Sequence, residues 1–171
     1  LALPGVSYLY QGEELGLPEV VDLPGELRQD PTFWRTNGEW VGRDGCRVPI
    51  PWEAAAPNLG FGPGEAPWLP QPKTWDALSR DVQAADPDSS LNLYRAALAA
   101  RRAHALGDGT LTWDESLSTD QTLAFRNGNI LVVSNFGPAA MRLPAGEVVL
   151  ASGHLEREGD DTLLGDGPDR L

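Results

Sequence analysis

Apolar and polar positions change their spacing along this chain, and each change marks a different kind of element. Val6 to Tyr10 is a short, largely apolar run. Such a run suits a strand of a parallel sheet buried on both faces. It leads into Gln11-Gly12-Glu13-Glu14-Leu15-Gly16, a glycine-bounded polar loop that carries two carboxylates. From Gln11 to about Pro72 prolines and glycines are frequent and Trp34, Trp40, Trp52 and Trp68 are interleaved with them, which predicts only short pieces of regular structure. A loop of that length inside a compact domain usually has a function.

Helical spacing then takes over. Trp75, Leu78 and Val82 fall at i, i+3 and i+7, the mark of a short amphipathic helix, and Asp86-Pro87-Asp88-Ser89 supplies a break and a fresh N-cap. A longer helix is predicted from about Ser90 to Leu106. Its stripe is Leu91, Tyr94 and Leu98, widened by Leu93 and Ala97, with Arg101 and Arg102 in the last turn and Gly107 after it. Beyond Gly107 the period becomes alternating in short runs: Thr110-Trp113, Thr122-Arg126, Ile130-Asn135, Ala140-Leu143 and Glu147-Ala151. Asn127-Gly128-Asn129 reads as a hairpin turn. Short strands at regular spacing argue for an antiparallel sandwich. The fold class is therefore α/β followed by all-β, with a boundary near Gly107.

Composition narrows the partners. The chain has 171 residues and a formal charge of −12, which opposes binding to nucleic acid and to anionic membranes. No apolar run reaches the roughly 18 residues that cross a bilayer. Cys46 is the single cysteine, so neither an internal disulfide nor a multi-cysteine metal site can form, and a reducing compartment, the cytoplasm, is the simplest assignment. His104 and His154 lack visible partners for a metal site, and Cys46 reads as a small buried hydrophobe. No cofactor is called for. The first predicted strand starts almost at residue 1 with no leader before it, so its neighbours in a sheet are expected upstream, in a longer protein of which this is the C-terminal piece.

Several motifs point to a family. The opening Leu3-Pro4-Gly5-Val6-Ser7-Tyr8-Leu9-Tyr10-Gln11-Gly12-Glu13-Glu14-Leu15-Gly16 and the run Gly42-Arg43-Asp44-Gly45-Cys46-Arg47-Val48-Pro49-Ile50-Pro51-Trp52 occur in order. So do Pro67-Trp68-Leu69-Pro70-Gln71-Pro72, Gln83-Ala84-Ala85-Asp86-Pro87-Asp88-Ser89 and Leu91-Asn92-Leu93-Tyr94-Arg95. Together they closely resemble the α-glucosidase branch of the α-amylase superfamily, glycoside hydrolase family 13, on its oligo-1,6-glucosidase and trehalose-synthase-like side. The resemblance covers nearly the whole chain; Leu164 to Leu171 depart from the family's closing strand, and Arg80 stands where relatives often carry an apolar residue. It implies that residues 1–107 are the C-terminal part of a (β/α)8 TIM barrel (last strand, long loop, last helix) and that residues 108–171 are a small β-sandwich domain.

The same resemblance implies a retaining α-glucosidase that removes terminal α-linked glucose from short oligosaccharides, by an aspartate nucleophile, a glutamate acid/base and a second aspartate, all on earlier strands. Retention needs two carboxyls about 5 Å apart across the sugar. No residue of this chain is assigned to that pair, so the chain by itself is expected to be inactive. A non-catalytic binding or assembly module and a trehalose-forming transglycosylase are the alternatives. What the chain carries is part of the rim, because barrel active sites are assembled from loops at the C-terminal ends of strands.

Arg43 is the foremost candidate: the family places the arginine of this Arg-Asp motif at the pocket mouth, and a guanidinium offers a planar fork of donors to sugar hydroxyls. A loop clamp through Asp44 or a glutamate is the competing reading, with Glu19 or Asp30 as the partner. Glu13 and Glu14 are loop carboxylates and candidate sugar contacts, with solvation as their default state. Gln11, Asp44 and Arg47 are expected to support the rim, the last two through an ion pair or loop hydrogen bond. Tyr10 and Trp68 could stack on a sugar, but packing of the loop is the favoured reading for both.

Overall fold

The computed structural model describes residues 1–64, 66–153, 155–158 and 161–165. It divides into two compact units, one formed by Leu9–Tyr94 and the other by Leu1–Tyr8 together with Arg95–Leu171.

In the Leu9–Tyr94 unit the proline- and glycine-rich loop folds as single helical turns at Glu13–Leu15, Gly25–Leu27, Asp44–Arg47, Pro57–Gly60 and Lys73–Asp76, plus the short helix α1, Pro31–Arg35. Val20, Leu23, Val48, Leu69 and Trp75 form the core, with Leu17, Leu27, Leu59 and Leu78 packed against it. Backbone groups that no ladder satisfies are met by side chains instead, as a buried loop requires. Arg28 is the clearest case. Its guanidinium is buried and donates to the carbonyls of Leu23, Val41 and Val21, and it lies 5.3 Å from the centre of the Phe33 ring.

The helix read from Trp75, Leu78 and Val82 is divided by Ser79, which is fully buried, into the Lys73–Asp76 turn and α2, Arg80–Ala85. Trp75 is in the core and Val82 is exposed. The Asp86–Ser89 break then works as expected, with the Ser89 hydroxyl accepting the N–H of Asn92 at 3.3 Å. Helix α3 spans Ser90–Ala103. It ends three residues before Leu106 because Ala105 adopts a left-handed conformation, φ 50°, and the chain re-coils at Leu106–Asp108.

In the other unit the antiparallel sheet β1 (Leu111–Trp113), β2 (Thr122–Asn127), β3 (Ile130–Asn135) has that strand order. Asn127 pairs with Ile130 across Gly128-Asn129, a two-residue hairpin in which Gly128 takes φ 60°. A second antiparallel sheet has the order β4 (Met141–Leu143), β6 (Asp161–Leu164), β5 (Leu155–Glu158).

Two predicted strands are absent. Glu147 to Ala151 are β-rich in composition, yet no described strand pairs with them, and Val148, Val149 and Leu150 stay exposed. Val6 to Tyr10 do not form a strand either: Val6 is 80% and Tyr8 90% exposed. A strand of a parallel sheet is held by neighbours on both sides, and no described strand lies beside this one. What holds this end of the chain is Arg101, which donates to the carbonyls of Leu1, Leu3 and Gly5 rather than to the end of its own helix. Gly5 donates to Gly107 at 2.8 Å, and the buried Asn127 amide donates to Ala2 and Leu106. His154 and residues 166–171 lie outside the described residues.

Candidate functional site

Two groups of predicted site residues fall in the Leu9–Tyr94 unit. The first surrounds the Glu13–Leu15 turn, which left-handed glycines bracket at Gly12 (φ 90°) and Gly16 (φ 63°). Glu13 accepts the N–H of Tyr10 at 3.1 Å and the hydroxyl of Tyr94 at 2.8 Å. The Tyr10 N–H, and after it the Tyr94 hydroxyl, hold the Glu13 carboxyl below its usual range, while burial and then Glu13 push the phenol of Tyr94 up. Glu14 accepts the N–H of Gly12 at 2.9 Å. Both carboxylates thus shape their own loop, and Glu13 remains open to solvent, as does Gln11.

The second group is built on two aspartates. Asp30 caps α1: Oδ1 accepts the N–H of Thr32 at 2.9 Å, with Pro31 in the first helical position. Oδ2 accepts the N–H of Arg43 at 3.1 Å and faces Arg47 Nη1 at 3.4 Å and Arg43 Nε at 3.9 Å. These contacts, the Thr32 N–H foremost and the Arg43 N–H next, lower the Asp30 carboxyl to about 2. Asp44 is fully buried, accepts the N–H groups of Gln29 and Asp30 through Oδ2, and has Oδ1 3.6 Å from Arg47 Nη1. Arg47 therefore bridges both aspartates.

Arg43 itself points outward, with its side chain 79% exposed. Of the partners raised for it, Glu19 and Asp30, it faces Asp30, and only through Nε. The motif residues Arg43, Asp44 and Arg47 are thus brought together around an aspartate that the sequence offered only as one possible partner. Its signal was present all the same, in an Asp-Pro pair at a helix start. Arg28, which ties three carbonyls of the same loop, had no sequence signal.

Other candidates separate. Tyr10 and Trp68 are not packed into the loop but stand 55% and 48% exposed. Burial, and after it Glu19, pushes the Cys46 thiol up, which opposes a nucleophilic role. Among the described residues no three histidines, cysteines or carboxylates come together to hold a metal ion, and no helix is long and apolar enough to cross a membrane. An open hollow of about 490 Å³, lined by Asn58, Gln71, Lys73 and Asp76 among others, includes none of the predicted site residues.

Residues 1–109 match the alpha amylase catalytic domain. The chain belongs to the alpha-amylase family. It is 36% identical over 162 residues to a probable alpha-glucosidase of Rhizobium meliloti (strain 1021), a match covering 90% of this chain and 28% of that protein. An oligo-1,6-glucosidase of Parageobacillus thermoglucosidasius is 27% identical over 169 residues, covering 83% of this chain and 29% of that protein. Among solved structures, the alpha-glucosyl transfer enzyme XgtA is 35% identical with a TM-score of 0.71, covering 93% of this chain and 31% of that one. The chain spans less than a third of the length of each of these relatives. It is thus a piece of an alpha-amylase-family TIM-barrel protein, accompanied by antiparallel sheets.

Proposed function

We propose that the chain is the C-terminal part of a retaining α-glucosidase acting on terminal α-linked glucose of short oligosaccharides. Residues 1–107 close its catalytic barrel and residues 108–171 form a β-sandwich from the two antiparallel sheets. The catalytic carboxylates belong to the upstream part of the same protein, which is its obligate partner. Arg43 contacts the sugar, Glu13 and Glu14 line the same rim, and Gln11, Asp44 and Arg47 support it. On this reading the protein belongs in the cytoplasm, with no cofactor, no metal ligands among the site residues of this chain, and no nucleic-acid or membrane partner.

The observation that carries this reading is the state of Arg43. Its main chain is anchored by a buried carboxylate while its guanidinium is left largely exposed, a cost in anchoring that a pure clamp would not need. A second reading, transfer of the glucosyl group to an acceptor hydroxyl instead of water, as a trehalose-forming enzyme would do, is favoured by the 35% identity to an alpha-glucosyl transfer enzyme.

Full-length protein assayed on a chromogenic α-glucoside tests both. Free glucose as the main product supports hydrolysis, and glucosyl-acceptor products support transfer. Arg43→Ala should remove charge-assisted hydrogen bonds of roughly 1.5–3 kcal/mol each and lower kcat/KM about tenfold or more. Arg43→Lys should restore it only in part, because a point charge cannot reproduce a planar fork. Unchanged kcat/KM in Arg43→Ala would overturn the role of Arg43. Turnover by the purified 171-residue chain alone would overturn the assignment of the catalytic carboxylates to the upstream part.

A further inference from the structure

We propose that Asp30 is a positioning residue for Arg43: it fixes the base of that side chain and holds its terminal nitrogens open toward the sugar. The inference rests on the sugar-binding reading of Arg43 given above.

Asp30 is buried, and every one of its polar groups near the motif is committed. Its own N–H goes to Asp44, its Oδ1 to Thr32, and its Oδ2 to the N–H of Arg43. The approach of the two segments has no slack. Gly42 takes φ 71°, and a Cβ there would lie 2.6 Å from Asp30 Cβ, so the main chain at residues 42 and 43 is pressed directly against the aspartate.

An aspartate this close to an arginine would ordinarily close a bidentate pair and consume the donor fork. Here it does not. Arg47 Nη1 sits 3.4 Å from the same Oδ2, so the carboxylate's charge is shared, and Arg43 Nε stays at 3.9 Å, beyond hydrogen-bond distance. Neither Nη nitrogen of Arg43 has a partner among the described residues. The residue is tethered through its main-chain N–H and its side chain is free at its donor end, which is the arrangement a substrate-facing guanidinium requires.

A double-mutant cycle in the full-length protein tests this, with KM, kcat and Tm read for Arg43→Ala, Asp30→Asn and the double variant on a chromogenic α-glucoside. Asparagine keeps the α1 cap through its amide oxygen but then presents its NH2 group to the Arg43 N–H, donor against donor. We expect Asp30→Asn to raise KM about fivefold with kcat changed less than about twofold, and the double variant to be no worse than Arg43→Ala alone. Effects that multiply in the double variant, or a fall in Tm with KM unchanged, would overturn the proposal while leaving the role of Arg43 intact. If Arg43→Ala leaves kcat/KM unchanged, both readings fall. Should Asp30→Asn not fold, Asp30→Ser, also a good N-cap, takes its place in the cycle. Failure of both to fold would make Asp30 a determinant of folding and overturn the positioning role.

Discussion

The buried carboxylate of Asp44 accepts the backbone N–H of Asp30 at 2.9 Å, so one aspartate of the loop sets the main-chain position of the other. Asp30 in turn accepts the N–H of Arg43, the residue that precedes Asp44. The two segments are therefore locked reciprocally, each by a carboxylate from the other. Oriented acceptors of this kind let an irregular loop hold one conformation without a sheet ladder.

Asp44→Ala should destabilise the Leu9–Tyr94 unit. It leaves the N–H groups of Gln29 and Asp30 without their acceptor, at roughly 1–3 kcal/mol each if they stay buried, and removes one of the two carboxylates that Arg47 bridges. A total of about 2–4 kcal/mol is expected in urea denaturation. Asp44→Asn should lose less, because its amide oxygen still accepts. Equal stability of Asp44→Ala and the parent would contradict this account of the loop.

Stability should fall in acid, and Asp30 should carry part of the fall. Its folded carboxyl is lowered to about 2 from a usual 3.8, so the folded state binds the proton less tightly than the unfolded chain does. The stabilisation is therefore complete above the unfolded value, about pH 4, and is lost as pH drops through about 2. Glu13 and Asp81 are lowered in the same direction, the first by the Tyr10 N–H and the second by the Ser79 hydroxyl. Urea midpoints measured from pH 6 downward should decline for the parent and decline less for Asp30→Asn. Parallel curves would show that Asp30 is not among the groups responsible.

Gln83 joins pieces of chain far apart in sequence. Buried on α2, it donates to the carbonyls of Leu15 and Leu78 and accepts the N–H of Leu91 at the start of α3. Gln83→Ala should cost about 2–3 kcal/mol through the groups it orphans. Gln83→Glu should cost at least as much, since a carboxylate cannot donate to two carbonyls and its charge would be buried against them. Chemical denaturation of both variants checks the order, and a Gln83→Glu variant as stable as the parent would refute it.

Elements whose signal is local were legible in the residues. The hairpin at Gly128-Asn129 follows from residues that tolerate a left-handed turn, and β3 begins and ends where the predicted β-rich run does. The α3 start follows from Ser89, because a cap is made within one turn of the helix it begins. The Arg-Asp motif was legible too, as a pattern of residue types that had to sit close in sequence.

What depended on distant partners was not. Val6 to Tyr10 have the composition of a strand, but a strand exists only beside another, and composition cannot supply a neighbour. Glu147 to Ala151 failed for the same reason, and β5 and β6 paired instead. The shortened end of α3 reflects a single left-handed alanine that no helix propensity foretells.

The residues by themselves carried the family resemblance, the change from helical to strand-rich chain after Gly107 and the candidates at the rim, because those rest on residue type and motif along the chain. Only the tertiary structure decided which carboxylate faces Arg43. Asp30 is 13 residues from it in sequence, and Glu19 stood as an equal candidate until the folding of the loop brought one of them to Oδ2 contact with the Arg43 N–H. The same is true of Arg28 and Gln83, whose roles lie in carbonyls and N–H groups of other segments. Backbone acceptors and donors are identical at every residue, so sequence cannot say which of them a buried side chain will meet.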